Sequence, residues 1–242
     1  MPVDIMLTVV FTSIIQSVFG AGVLLFGTPL LLLLGHEFVD VLVVLLPISI
    51  GINLLQIIKH HSHIDFVFYR NILTLTLPLI ALFLFLVTHA RINISLLIGI
   101  FLLFIACKEY SVSIAGIINK LMAFEKTYFM LMGAVHGVSN LGGSLLTALA
   151  YHKQYEKDVA RVTVAASYAT FAVVQLLTIW IFSNRQIDVS INHTVVYMLV
   201  GMLIFMLSDE MLYSELDRAK YQRFFAAFLA VSGVVLILKS LS

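Results

Sequence analysis

The chain has 242 residues, 61% hydrophobic and 11% charged, with a mean hydropathy of +1.07. Soluble domains carry about 45–50% apolar and about 25% charged residues, so this is the composition of an integral membrane protein with no room for an added soluble domain. A net charge of +1 excludes a basic nucleic-acid-binding surface, and the single Cys107 excludes an internal disulfide or a multi-cysteine metal centre.

Asp4 precedes the first apolar run and no Lys or Arg does, so the start is not expected to be a cleaved secretory signal. A full span needs about 20 apolar residues. Apolar segments run over 4–19, 22–35, 39–58, 68–88 and 93–107, then over 128–139, 142–151, 158–183, 190–207 and 221–239. Four of these are too short to cross comfortably, and they form two pairs, 4–19 with 22–35 and 128–139 with 142–151. Each pair meets at a glycine-rich joint, FGAG at 19–22 and SNLGG at 139–143. Irregular backbone at membrane depth survives only where it is buried in protein or lines a wet cavity. Each pair is therefore expected to be a re-entrant hairpin of two half-helices.

The joints recur at a spacing of about 120 residues, the mark of an internal repeat. A shift of 120 sets Gln16 opposite His136, Gly20 opposite Asn140 and Gly22 opposite Gly142. A shift of 119 sets Gln56 opposite Gln175, and one of 123 sets Asp65 opposite Asp188. The expected fold is all-α. Two five-segment repeats, 1–107 and 128–242, flank a cytoplasmic linker over 108–127, and an odd segment count inverts the second repeat. Basic residues favour the cytoplasmic side. With alternating connections, Arg91, Arg185 and Lys239 fall on the side of the termini. Lys59, Arg70, Lys108, Lys120, Lys126, Lys153, Lys157, Arg161, Arg218, Lys220 and Arg223 fall on the other, which places both termini outside the cell. Within the linker, IAGII at 114–118 reads as an interfacial helix or an extension of the fifth segment. The mixed charges of 208–223 read as a solvated turn.

Half-helices that end inside a bilayer present free backbone amides and positive dipole ends, which bind anions without a buried cation. Gly20, Gly22, Gly142 and Gly143 let an anion approach the backbone. Gln16, Ser17, His136, Ser139, Asn140 and Ser144 beside the joints, with Asn53, Gln56 and Gln175 from the long segments, are the candidate side chains. Asn53 and Gln56 are three apart and share a helical face. The amides have two readings, lining a substrate or gluing helices together. Arg161 either attracts an anion from the cytoplasm or snorkels to the interface. His136 either bonds an oxyanion and couples transport to protons or makes a structural hydrogen bond. The His60–His63 cluster near Asp65 has a metal-binding look but reads better as a solvated turn, so no metal or cofactor is expected. The other histidines sit at segment ends, leaving no nucleophile–base pair at matched depth, so no enzyme is expected.

Residues 16–50 read QSVFGAGVLLFGTPLLLLLGHEFVDVLVVLLPISI, and 136–167 read HGVSNLGGSLLTALAYHKQYEKDVARVTVAAS. With Pro29 after the first joint, this order and spacing resemble the sulfite exporter TauE/SafE family, the 4-toluene sulfonate uptake permease group, over nearly the whole chain. The first joint has one glycine fewer than the family's GxGGG pattern, and Thr147-Ala148 stands where a second proline is usual. The resemblance implies a multi-pass permease of the cell inner membrane that exports sulfite, an organosulfonate or a related small anion by alternating access. A passive anion channel, or a permease for an unrelated solute, is the alternative.

Overall fold

The computed structural model describes residues 2–20, 22–60, 63–90, 93–183, 190–212 and 218–241. Every regular element among them is helical. The first joint separates α1 (Val3–Phe19) from α2 (Val23–Leu33), and α3 (Phe38–His60) follows. The next span is continuous but composite: α4 (Phe66–Asn71), a π-helical turn over Ile72–Thr76, then α5 (Leu77–His89). Pro78 explains the wide turn, because it has no N–H to close the α-helical bond one turn back. α6 (Ile94–Tyr110) completes the first set.

Residues 108–127 contain a helix of their own, α7 (Val112–Ala123), separated from α6 at Ser111, whose hydroxyl accepts from the Ile114 amide at 3.4 Å. The separate helix, not an extension of α6, is the observed arrangement. The second joint lies between α8 (Glu125–Ser139) and α9 (Gly143–His152), followed by α10 (Lys157–Phe182), α11 (Ile191–Leu212) and α12 (Arg218–Leu241). The 208–223 stretch is less of a turn than its charges suggest. α11 continues to Leu212, and Asp209 is a buried helical residue.

Both broken pairs turn back on themselves. Asp4 at the start of α1 bonds His36 just beyond α2 at 2.7 Å, and Glu125 at the start of α8 pairs with Lys153 just beyond α9 at 2.7 Å. At 1.5 Å per residue the 11 residues of α2 and 10 of α9 reach only about 15 Å, half of a bilayer's hydrocarbon core. The joints therefore lie inside the protein.

α3, α4–α5, α10 and α11 each contain a stretch long and apolar enough to cross a membrane. Within these stretches 61% of α3 and 61% of α10 is buried, against 28% of α4–α5 and 22% of α11, so α3 and α10 form the centre. They pack against each other, and the surrounding contacts are exchanged: α1 packs on α11, α8 on α5, and α6 on α12. Small residues permit the close crossings. A Cβ at Gly233 would lie 2.8 Å from the Gly99 carbonyl, and one at Gly137 would lie 2.6 Å from the Ile80 carbonyl. Leu199, Leu203, Val231 and Leu238 are exposed on the outer faces of α11 and α12, the apolar belt of a multi-pass membrane protein.

Candidate functional site

The two joints have the same local geometry. α1 ends on Gly20 (φ +73°) and α8 on Asn140 (φ +61°), both left-handed, and each amide donates to the carbonyl four residues back at 2.8 Å, Gln16 and His136 respectively. Glycine and asparagine are the residues that accept this conformation most readily, which is why they occupy the break. The following glycines serve close approach. A Cβ at Gly22 would lie 2.7 Å from the Gln16 amide nitrogen, and one at Gly142 would lie 2.5 Å from His136 Cβ.

The side chains one turn before the breaks then diverge. Gln16 Oε1 accepts from the amides of Gly22 (3.1 Å) and Val23 (2.9 Å), so it caps the start of α2. These two amides of the first joint are therefore not open. Gln16 Nε2 donates to Asn53 Oδ1 at 3.0 Å, Gln56 Nε2 donates to the same oxygen at 3.3 Å, and Asn53 Nδ2 donates to Ser49 Oγ at 3.0 Å. Gln56 Oε1 in turn accepts from Arg161 Nε at 3.0 Å. Arg161 also donates to the Ser17 carbonyl at 3.1 Å and pairs closely with Asp209, which holds Lys59 at 3.1 Å. Gln16, Ser17, Gly20, Asn53, Gln56 and Arg161 thus converge on one buried chain of hydrogen bonds. Asp209, absent from the sequence candidates, terminates it.

At the second joint, His136 turns away from the start of α9 and its Nε2 meets Gln175 Oε1 at 3.1 Å. With Nε2 carrying the proton, the ring donates to Gln175 and Nδ1 is a bare acceptor. Asn140 Nδ2 donates to Thr28 Oγ1 in α2 at 2.9 Å, tying the second joint to the first hairpin. The Ser139 and Ser144 hydroxyls are used locally, on the carbonyls of Val135 (2.7 Å) and Leu141 (2.9 Å). The space a side chain at Gly143 would take is filled by the hydroxyl of Tyr168, another residue the sequence reading passed over. Four buried polar atoms here have no hydrogen-bond partner: Tyr168 Oη, His136 Nδ1, Asn140 Oδ1 and Gln175 Nε2. Such groups are costly to leave unmade, and four of them belong to residues of this joint and of the α10 face beside it.

α10 aligns the two joints. Arg161, Tyr168 and Gln175 are spaced by sevens on one helix face, about 10 Å apart along the axis. Phe171 joins them against the His136 ring, with centroids 4.7 Å apart. That spacing is the signal from which Tyr168 was readable. Of the histidine cluster, His61 and Ser62 lie outside the described residues, as do Arg185 and Asp188. Among the described residues no group of three His, Cys, Asp or Glu side chains is arranged to hold a metal ion.

A membrane bundle with two helix breaks turned toward a buried polar interior has the construction of a secondary transporter. The family model described as Sulfite exporter TauE/SafE matches residues 5–236, and the chain belongs to that family. No curated protein and no solved structure matches the chain.

Proposed function

We propose that the protein is a permease that exports a small sulfur-containing anion, sulfite or an organosulfonate, across the cell inner membrane by alternating access. The observation that carries this reading is the cluster of unpartnered buried polar atoms at a helix break packed against the central helix α10. Family membership supports the choice of substrate class. The exchange of partners, α1 on α11 and α8 on α5, supports two inverted repeats, 1–107 and 128–242, rocking about α3 and α10. The matched left-handed breaks support the same division. The excess of lysine and arginine on one side supports a cytoplasmic 108–127 linker and periplasmic termini.

In this mechanism the Arg161–Asp209 pair beside Lys59 closes the cytoplasmic side while the anion sits deeper along α10. His136, in contact with Gln175, is proposed to carry any proton coupling. The test is flux in proteoliposomes made with purified protein, over sulfite, sulfate, thiosulfate and short organosulfonates, with and without a pH gradient. Saturable movement with counterflow supports a carrier. Non-saturating flux without counterflow makes it a channel, and no flux of any member removes the permease reading.

A further inference from the structure

The proposed site has two half-helix starts, and the structure treats them differently. The α2 amides of Gly22 and Val23 are capped by Gln16 Oε1, with both groups buried. An anion there would have to displace that cap. At the start of α9 the matching side chain, His136, is turned to Gln175 instead. What faces α9 is the Tyr168 hydroxyl, lying against Gly143 in a side chain only 3% exposed and without a hydrogen-bond partner. A phenol is a good donor that holds its position through packing, here against Phe171 and the His136 ring. Helix start and buried, unpartnered hydroxyl are independent observations at one place.

We propose that the oxyanion subsite is the start of α9, with Tyr168 as its specificity-determining donor, and that it takes a singly charged tetrahedral or pyramidal oxyanion in preference to a dianion. The charge preference follows from what surrounds the subsite. Among the described residues the only buried Lys, Arg, Asp or Glu side chains are Arg161 and Asp209, and they pair with each other at the first joint. The second joint therefore offers a helix dipole and the Tyr168 hydroxyl without a full positive charge. Two bare acceptors, His136 Nδ1 and Asn140 Oδ1, belong to the same joint. One negative charge is satisfied by a helix start and a hydroxyl, whereas a second would be desolvated beside acceptors with no counter-charge.

This inference rests on the permease reading for its biological meaning, but its test does not. Binding of methanesulfonate and of sulfate, ions of similar size with one and two charges, is measured by calorimetry on purified protein. Wild type is compared with Tyr168→Phe, and thermal unfolding of both is followed. The expected result is methanesulfonate binding at least about tenfold tighter than sulfate, a loss of about tenfold or more in Tyr168→Phe, and an unchanged or raised melting temperature in the variant, since the deleted hydroxyl has no partner in the fold. Equal binding of the two ions, unchanged affinity in Tyr168→Phe, or no binding of either ion overturns the proposal. Binding lost in Tyr168→Phe with no flux by wild type leaves the subsite standing and removes the permease.

Discussion

Arg161 of α10 and Asp209 of α11 form an ion pair whose side chains are 5% and 7% exposed, so both charges are held out of water. The guanidinium also reaches Gln56 and the Ser17 carbonyl, which places one charged group in contact with α3, α11 and the first joint. A pair this buried resists loss of either partner far more than loss of both, because a single deletion leaves an uncompensated charge.

The first prediction follows. Asp209→Asn and Arg161→Gln should each destabilise the protein by about 3–5 kcal/mol, while the double variant Arg161→Met with Asp209→Leu should lie much closer to wild type. Thermal unfolding in detergent reads all of these, and single variants that melt like wild type would show that the pair is not a structural latch.

Gln16 gives a local prediction. Replacing it with Leu removes the acceptor on the Gly22 and Val23 amides and the donor to Asn53, costing about 1–3 kcal/mol. Hydrogen exchange followed by mass spectrometry should speed up over peptides covering the start of α2 while the start of α9 is unchanged. Equal exchange in variant and wild type would mean that the cap contributes nothing.

The close crossing of α6 and α12 depends on Gly99 and Gly233, each of which would place a Cβ within 3.0 Å of the other's carbonyl oxygen. Gly233→Val should cost at least about 1–3 kcal/mol through overpacking, read as a lowered melting temperature. A variant as stable as wild type would place the crossing elsewhere.

Asp65 supplies the pH dependence. It lies just before the composite span and caps α4 through the amides of Val67 and Phe68, both at 2.9 Å, while its other oxygen accepts from Tyr155. Burial pushes its carboxyl up, but the Tyr155 hydroxyl, the two amides and the Lys153 charge together hold it below the usual carboxylate value. A depressed folded pKa stabilises above the unfolded value of about 3.9 and is lost as pH falls through the folded one. Asp65→Ala should therefore cost about 1 kcal/mol at neutral pH, and the gap in melting temperature should close below about pH 4. A gap that persists at the lowest pH would assign the effect to packing.

Much of this architecture was legible in the sequence because its signals are local. Segment length and a glycine-rich break are enough to find the half-helices, and the 120-residue spacing paired Gln16 with His136 and Gly20 with Asn140, which the joints' shared geometry matches. What escaped depended on tertiary context. Asp209 stands in a run of charges that looks solvated, and only the packing of α11 near Lys59 and Arg161 buries it. Tyr168 sits among small apolar residues and looks like core until the start of α9 is laid against it. The repeat makes Gln16 and His136 equivalents, but they make opposite choices between the following helix and the neighbouring long one. Periodicity gives such residues a face but not a partner.

A small sulfur oxyanion that passes at the second break must meet Asn140, and Asn140→Gly tests this with least disturbance. Glycine accepts the left-handed conformation at this position, so the fold should survive within about 1 kcal/mol of wild type despite the lost bond to Thr28. Sulfite efflux from proteoliposomes should be saturable for wild type and fall by about tenfold or more in the variant, the factor that corresponds to about 1.4 kcal/mol of barrier. Efflux by the variant equal to wild type, or no efflux by wild type, would contradict passage at this break.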